Sequence, residues 1–401
     1  PCSLPPAPLR PTCIKLKVKR YYSYLRQQPS KIELGVYMAY RYKILSIDGG
    51  GIRGIIPAII LDEIEKRTNK PICQLFNLIA GTSTGGILTA ALTKPHPSYQ
   101  NQPQFKAEEL IDIYRQDGKR IFSESPIAKS FKLDDILKAK YSSKGRDEVL
   151  TEYLQDTLVK KALTNLFITS YDIELRMPIF FVNNVKDQKL GENFRKICDG
   201  YTMKQAAMAT SAAPTYFKPY KLDTADPTNS GYYALVDGGV FANNPTSLAI
   251  MEALISSARA NPQKPDQQPL TINDILVVSL GTGSLNRRYN YDQAVNWGLI
   301  QWVEPMLNIT LDGSSESVAC QLEQLLPQAD GYPKQYYRFQ RQLTKANDNI
   351  DDASSENIER LITLAKQIIE QRDSELDELC QQLTQGLYQQ EQQEESALVS
   401  I

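Results

Sequence analysis

Histidine is nearly absent from this chain of 401 residues, in which His96 is the only one. Mechanisms and metal sites that need two imidazoles are therefore excluded. Long apolar runs are missing as well: no stretch of 18 or more apolar residues occurs, so the sequence offers no membrane-spanning helix. Neither sign of charge dominates, because 45 Lys and Arg stand against 46 Asp and Glu, and we expect no nucleic-acid partner.

What the sequence does contain is typical of a globular protein, with 42% hydrophobic and 23% charged residues. Its six cysteines are scattered, without the C-x-x-C pairs of zinc sites or the crowding of a disulfide scaffold. We therefore expect free thiols, no metal site and a reducing compartment. The apolar core of a secretory signal is not visible, and the expected location is the cytoplasm, with peripheral membrane contact left open.

The first 37 residues differ from the rest of the chain, with seven Lys or Arg and a single acid. Two interpretations are open: a basic arm that touches a membrane, or a segment upstream of a true start at Met38. The lack of sustained periodicity favours the second. We expect a leader at residues 1–37 that need not belong to the native protein, a main domain at 38–350 and a helical tail at 351–401.

Strands and helices alternate at the beginning of the main domain. Residues 43–47 and 76–80 are β-prone, and each segment is followed by a glycine-containing turn and a helical pattern, at 55–67 and 83–92. This alternation predicts an α/β fold. Further strands are predicted at 166–173, 177–182, 235–236 and 275–280, a helix at 203–211, a surface loop at 261–269 and a packed helix from about Ser354 onward.

The segment Gly81-Thr82-Ser83-Thr84-Gly85 matches G-x-S-x-G and lies between a predicted strand and a predicted helix. In that context a sharp turn exposes the serine hydroxyl at the edge of the sheet, and the following helix directs its dipole at charge developing there. Ser83 is therefore a candidate nucleophile. The alternative interpretation is an ordinary helix cap.

A serine nucleophile needs a base. His96 follows Ser83 by 13 residues, beyond the predicted helix, which places it roughly 20 Å away along the helix axis. A Ser-His-Asp triad is therefore disfavoured, and we expect a carboxylate base. Asp237 is the best candidate because it ends a predicted strand and is followed by Gly238 and Gly239, although Asp-Gly also occurs in ordinary turns.

A glycine-rich turn that opens a helix follows the first strand. Such a turn offers backbone N–H groups to an oxyanion. The alternative is a dinucleotide fingerprint, G-x-G-x-x-G, but the next strand ends at Ala80 and Gly81 without the required acid. Arg53 either adds positive charge near the oxyanion or braces the loop. The candidate oxyanion residues are Gly49, Gly50, Gly51, Ile52, Arg53 and Gly54.

Together, GGGIRG, GTSTG and DGG, in that order, resemble the patatin-like phospholipases. The resemblance extends over residues 42–283 and includes ATSAAP at 209–214, NNP at 243–245 and SLGTG at 279–283. It implies a three-layer α/β/α sandwich around a central, mostly parallel sheet, with a helical C-terminal extension. It also implies Ser83 as nucleophile, Asp237 as general base, the Gly49–Gly54 loop as oxyanion hole, and neither metal nor cofactor. Within that loop we expect the amides of Gly50 and Gly51 to be the donors.

The resemblance further implies a lipid acyl hydrolase that cleaves phospholipid, galactolipid or neutral glycerolipid esters. Two alternatives stay open: an esterase or transacylase acting on non-membrane esters, and a non-catalytic storage or binding protein. Both tryptophans lie at 297–302, a segment that suits a buried helix, a subunit contact or docking at a membrane interface. We make no prediction of an oligomeric state.

Overall fold

A computed structural model describes residues 40–123, 139–184, 186, 188–225, 231–259, 268–284, 288–326 and 333–385. The leader at 1–37, most of the predicted loop at 261–269 and the last 16 residues lie outside these ranges. Ten strands occur in the described part of the chain: β1 Tyr42–Ile47, β2 Leu78–Gly81, β3 Asn165–Asp172, β4 Met177–Val182, β5 Lys189–Leu190, β6 Arg195–Ile197, β7 Tyr220–Asp223, β8 Tyr232–Asp237, β9 Ile275–Leu280 and β10 Tyr336–Phe339.

The α-helices of the same ranges are α1 Ile55–Thr68, α2 Ile72–Leu75, α3 Thr84–Thr93, α4 Ala107–Leu110, α5 Asp112–Arg115, α6 Gly118–Ile121, α7 Ser143–Leu154, α8 Met203–Thr210, α9 Gly239–Ala242, α10 Thr246–Arg259, α11 Tyr291–Ala294, α12 Leu299–Leu325, α13 Ser355–Gln371 and α14 Asp373–Thr384. Short 3-10 helices occur at Gly51–Gly54, Val159–Lys161 and Ile272–Asp274. No helix among the described residues is long and apolar enough to cross a bilayer.

All ten strands form one sheet, in the order β10-β9-β1-β2-β3-β4-β6-β5, with β8 paired to β3 and β7 paired to β8. Strands β10, β9, β1, β2 and β3 are mutually parallel, whereas β3 pairs antiparallel with both β4 and β8. The predicted mostly parallel α/β sheet is therefore confirmed. Because parallel strands end at the same edge, the loops after β1, β2 and β9 lie close together.

Side chains on the two faces of the sheet enter separate cores, as the period of two in a strand requires. On one face, Leu45 and Ile47 pack with helices α1, α3, α8, α13 and α14. On the other face, Ile44 packs with α10 and the end of α12. The sheet thus lies between two helical layers, which is the three-layer sandwich that the sequence predicts.

Several predicted elements need correction at their ends. The strand predicted at 76–80 begins two residues later, because Asn77 serves instead as a hydrogen-bonding residue: its Oδ1 accepts from the amide of Lys43 at 2.8 Å. The helix predicted after Ser354 is divided at Arg372 into α13 and α14. On α13 the apolar side chains of Ile358, Leu361, Ile362, Ala365 and Ile368 are buried, and the helix packs on α1, so this part of the tail belongs to the folded structure.

Candidate active site

Ser83 lies in a sharp turn between β2 and α3. Its backbone has φ 54° and ψ −121°, a conformation that is strained for a residue with a Cβ atom. Ser83 occupies the N-cap position of α3, but its side chain makes no capping hydrogen bond, so it is not an ordinary helix cap. The tight turn needs glycine nearby, since a Cβ on Gly85 would lie 2.2 Å from the carbonyl oxygen of Ile47.

Two threonines hold this turn in place. The Ser83 amide donates to Oγ1 of Thr210 at 2.8 Å. The Thr82 hydroxyl is 2.7 Å from the carbonyl oxygen of Ala242 and 2.7 Å from Oγ1 of Thr169. Thr210 belongs to the ATSAAP segment, whose role the sequence alone left unassigned. These contacts hold the backbone of the turn that carries Ser83.

Asp237 is the partner of the Ser83 hydroxyl. Its carboxylate accepts a 2.7 Å hydrogen bond from the amide of Gly239. It also lies close enough to the Ser83 side chain for that side chain to lower its pKa as a hydrogen-bond donor. The contact with Gly239 is the Asp-Gly turn of the alternative interpretation, and here it coexists with the contact to Ser83. Asp237 is buried, with 3% of its surface exposed. Burial raises its pKa to about 6, although Ser83, Gly239 and the charge of Arg146 oppose the shift.

The glycine loop approaches the pair from β1. Three of its amides are already paired: Gly49 with the carbonyl of Asn243 at 3.0 Å, Ile52 with that of Ile350 at 2.8 Å, and Arg53 with that of Gly50 at 3.1 Å. Among the backbone hydrogen bonds of the described residues, none involves the amide of Gly50 or Gly51. Both glycines line a cavity together with Ser83 and Asp237.

The loop is held in place by the motifs that had no assigned role in the sequence. The carbonyl of Gly49 accepts from Oγ1 of Thr282 at 2.7 Å, and Nδ2 of Asn243 donates to Oγ of Ser315 at 2.9 Å. Arg53 is buried and its guanidinium donates to the carbonyls of Gly50 and Gly283, at 3.3 and 3.4 Å. Of its two interpretations, bracing of the loop is therefore the contact observed.

A buried ion pair lies at the start of the loop. Arg338, on β10, donates to both carboxylate oxygens of Asp48 at 3.0 and 2.6 Å, and also to Oγ of Ser279 at 2.9 Å. Asp48 is 1% exposed. Because β10 was not predicted, sequence reasoning missed Arg338. Its only signal is the β-prone run Tyr336-Tyr337-Arg338-Phe339.

Two cavities meet at Ser83. The first, called here the Asp237 cavity, is lined by both members of the Ser83–Asp237 pair. The second is called here the apolar cavity. Its lining is mostly apolar: Gly51, Ile52, Ser83, Thr84, Ile87, Ile113, Tyr114, Gly118, Ile121, Phe122, Arg146, Ser211, Ala213, Tyr216, Phe217 and Ile350.

Of the other residues singled out in the sequence, three glycines pack at the site, whereas His96 lies in a separate turn. Gly81, Gly54 and Gly238 pack tightly against Gly85, Thr84 and Thr169, and provide backbone shape rather than chemical groups. His96 lies in the turn after α3, where its Nδ1 accepts from the amides of Ser98 and Tyr99 at 3.0 and 3.1 Å. No cluster of potential metal ligands occurs in the described ranges.

The tryptophan segment opens α12, and its apolar side chains are largely exposed. Leu299 is 91% exposed and Ile300 is 72% exposed, so the buried-helix interpretation is wrong at this end of the helix. Two turns further on, Leu307 and Leu311 of the same helix line the Asp237 cavity. The exposed apolar surface therefore continues into the candidate site.

Comparison with known proteins gives consistent matches. A patatin-like phospholipase family model matches residues 45–250. Patatin-like protein 2 of Oryza sativa subsp. indica is 33% identical over 356 residues, which cover 83% of this chain and 85% of that protein. "Probable inactive patatin-3-Kuras 1" of Solanum tuberosum is also 33% identical, over 83% of this chain and 87% of its own length. The solved structure of VipD from Legionella pneumophila covers 86% of this chain and 73% of its own, with 12% identity and a TM-score of 0.30, too low to support any argument.

Proposed function

The chain belongs to the patatin-like phospholipase family, and from this premise we propose that it is a serine lipid acyl hydrolase acting on membrane glycerolipids. Its reaction is the cleavage of fatty-acyl ester bonds, of the phospholipase A or galactolipase type. The observation that carries the proposal is the contact between Ser83, on its strained turn, and the buried carboxylate of Asp237. A serine without a base would be a poor nucleophile.

In the first step, Asp237 accepts the proton of Ser83 while Oγ attacks the ester carbonyl. A base with a pKa of about 6 is largely ionised at neutral pH and still accepts a proton more readily than an exposed aspartate does. Negative charge develops on the carbonyl oxygen. The amides of Gly50 and Gly51, which have no acceptor among the described residues, are the donors for that oxyanion.

Ser83 and Asp237 then complete the acylation step and carry out the deacylation. The alcohol leaves with the proton held by Asp237, and the acyl group stays on Ser83. Water then loses a proton to Asp237 as it attacks the acyl-enzyme. The bond between the acyl carbon and Ser83 Oγ breaks, Asp237 returns the proton to Oγ, and the fatty acid is released. A fatty-acyl chain suits the apolar cavity, because most of the side chains that line it are apolar.

Covalent labelling tests the nucleophile directly. We expect a fluorophosphonate probe to label the native protein at Ser83, located by peptide mass spectrometry, and to leave Ser83→Ala unlabelled. An Asp237→Asn variant keeps the shape but loses the base, so its labelling rate should fall by at least 10²-fold, in the range of general-base effects. Labelling at another residue, or equal labelling of Ser83→Ala, would contradict the proposal.

The two alternatives have different outcomes in a substrate comparison. An esterase or transacylase is labelled in the same way but prefers soluble esters or alcohol acceptors over lipid aggregates. A storage or binding protein is not labelled at all. Turnover of one acyl ester presented as monomer, micelle and vesicle, with and without glycerol as acceptor, therefore separates the three functions.

For access to lipid we propose that the exposed face of α12 docks on a lipid surface without net charge. This docking face consists of six apolar side chains: Leu299, Ile300, Trp302, Val303, Met306 and Ile309. Exposed apolar patches of this kind are typical of interaction sites. Residues 289–333 contain no Lys or Arg, so the face lacks the basic groups that anionic bilayers attract.

Vesicle binding distinguishes this docking face from a protein contact. We expect tryptophan fluorescence to shift on phosphatidylcholine or galactolipid vesicles, and phosphatidylserine to weaken the binding. Ile300→Ser should reduce vesicle affinity about 10- to 100-fold, as expected when an apolar side chain is no longer buried. Ile173→Ser, an exposed apolar residue elsewhere, is the matched control. Stronger binding to phosphatidylserine, or equal loss in both variants, would contradict the docking face.

A further inference from the structure

Arg146, on α7, is a buried cation in the wall of the apolar cavity. It is 1% exposed and lines that cavity together with Ser83. Its Nη1 donates to the carbonyl oxygen of Ser211, and its guanidinium carbon lies 4.1 Å from the ring centre of Phe217. One end of the side chain is thus fixed by a hydrogen bond and one face by an aromatic ring.

The other edge of the guanidinium is unsatisfied. Its Nε and Nη2 have no hydrogen-bond partner, and within the described ranges Arg146 forms no ion pair with a carboxylate. Asp147, the next residue, instead pairs with Lys204 at 3.1 Å. Nε and Nη2 carry two parallel N–H bonds on one edge of the group. This spacing matches the two oxygens of a carboxylate or phosphate.

The charge of Arg146 persists in this environment. Burial lowers its pKa to about 10, so the guanidinium is protonated at neutral pH. Asp237 is the strongest attractive charge that acts on it, but the Asp237 carboxylate already accepts from Gly239 and lies close to the Ser83 side chain. The wall of the apolar cavity therefore includes a protonated guanidinium whose Nε and Nη2 have no hydrogen-bond partner among the described residues. Buried polar groups in folded proteins are normally paired.

We propose that Nε and Nη2 of Arg146 form an anion site in the apolar cavity, and that this site binds the carboxylate of a free fatty acid. The alkyl chain lies against Ile87, Ile113 and Phe122, which could not solvate the polar substituents of a phosphate headgroup. If the proposed hydrolysis takes place, the ligand is the reaction's own product. Water adds its hydroxyl to the acyl carbon, and its proton passes through Asp237 to Ser83 Oγ as the acyl–oxygen bond breaks. The fatty acid then gives its own proton to solvent, and the carboxylate moves to Arg146.

This site has a consequence for turnover that rests on the proposed function. A product anion held beside Ser83 competes with the next ester, whereas the neutral substrate offers Arg146 no negative charge. Fatty acid should therefore inhibit hydrolysis of an uncharged soluble ester more strongly than a fatty alcohol of equal length does. The difference arises from the anion site and not from chain burial, which both ligands share.

Ligand binding to the Ser83→Ala protein tests the anion site at Arg146 in the absence of ester hydrolysis. Decanoate and decanol, titrated calorimetrically at pH 8, compare a carboxylate with an uncharged group on the same chain. We expect decanoate to bind about 10- to 100-fold more tightly, as charge-assisted hydrogen bonds of this kind provide. In Ser83→Ala/Arg146→Met the preference should fall to near unity, and Arg146→Lys, which keeps the charge without the paired edge, should lie between them.

Each outcome decides the proposal. Equal affinities for decanoate and decanol in Ser83→Ala would overturn the anion site and leave Arg146 as a structural contact to Ser211. Tighter binding of decyl phosphate than of decanoate would overturn the fatty-acid assignment in favour of a headgroup phosphate. If Arg146→Met does not fold, the acid–alcohol comparison in Ser83→Ala alone still decides. Because this protein performs no hydrolysis, the result is independent of whether the proposed function is correct.

Discussion

Ser83 and Asp237 meet because their strands approach each other end to end along one edge of β3. Gly81, at the end of β2, pairs with Ile168, and Asp237, at the end of the antiparallel β8, pairs with Ser170. Two residues of β3, about 7 Å, separate these positions. The contact between hydroxyl and carboxylate is thus set by strand register, and a slip of two residues would abolish it.

The backbone strain at Ser83 predicts that glycine is a more stable replacement there than alanine, the opposite of the usual order. Glycine adopts φ 54° without steric cost, whereas alanine does not. We expect Ser83→Gly to exceed Ser83→Ala in free energy of unfolding by about 1 kcal/mol, measured by urea denaturation. Ser317, inside α12, provides the control, because there Gly should be the less stable replacement. Equal stability of the two Ser83 variants would show that the turn is unstrained.

The raised pKa of Asp237 predicts the acid side of the pH–rate profile. A general base must be ionised, so kcat/KM for an uncharged soluble ester should rise tenfold per unit below pH 6 and level off above it. Loss of the Arg146 charge in Arg146→Met should move this midpoint to higher pH, since that charge lowers the pKa of Asp237. Arg146→Lys, which keeps the charge, should move it less. A midpoint near 4 would contradict a buried base.

The same pKa makes Asp237 costly to the folded state. A carboxyl whose pKa rises from 3.8 to about 6 on folding contributes stability below pH 4 that is lost as the pH rises through 6. Asp237→Asn removes this dependence. Relative to the native protein, the variant should therefore gain on the order of 3 kcal/mol between pH 4 and pH 7, followed by thermal or urea unfolding. A pH-independent difference would refute the assigned shift.

The ion pair beneath the glycine loop predicts strong coupling between two distant positions. Asp48→Asn and Arg338→Met each leave a buried group unpaired, and each should lower stability by about 3–5 kcal/mol. The double variant should lose less than the sum of the two, because no unpaired charge remains. The exposed pair of Glu356 and Arg360 is the control, with a coupling of about 0.5 kcal/mol or less. If the losses of stability in the two single variants simply add up in the double variant, Asp48 and Arg338 do not stabilise each other as an ion pair.

The sequence predicted the parts of the fold that local patterns encode. Strands β1, β4 and β9 and helices α1 and α8 lie within a residue or so of their predicted bounds, because strong apolar periodicity and glycine turns coincide there. The short strands β5, β6 and β7 and the edge strand β10 were missed. A strand of two to four residues has too few positions for its period to emerge from the sequence.

Which residues form the site was easier to predict from the sequence than how the fold brings them together. The sequence motifs indicated Ser83, Asp237 and the glycine loop, but not how strand register brings them together. The supporting residues Thr210, Asn243 and Thr282 act through single hydrogen bonds across long sequence separations, which no local pattern records. Arg146 had no motif at all, since its significance comes from unpaired atoms in a cavity that only the folded chain forms.

The hydrolysis of lipid esters by Ser83 and Asp237 is tested most directly by measuring, with mass spectrometry, the release of fatty acid and lyso-lipid from mixed glycerolipid vesicles. The vesicles contain phosphatidylcholine, galactolipid and diacylglycerol, and the proteins compared are the native chain, Ser83→Ala and Asp237→Asn. We expect the native protein to release both products and Ser83→Ala to release none above background. In Asp237→Asn the rate of release should fall by at least 10²-fold. Release that persists in Ser83→Ala, or near-native release by folded Asp237→Asn, would contradict hydrolysis by Ser83 and Asp237.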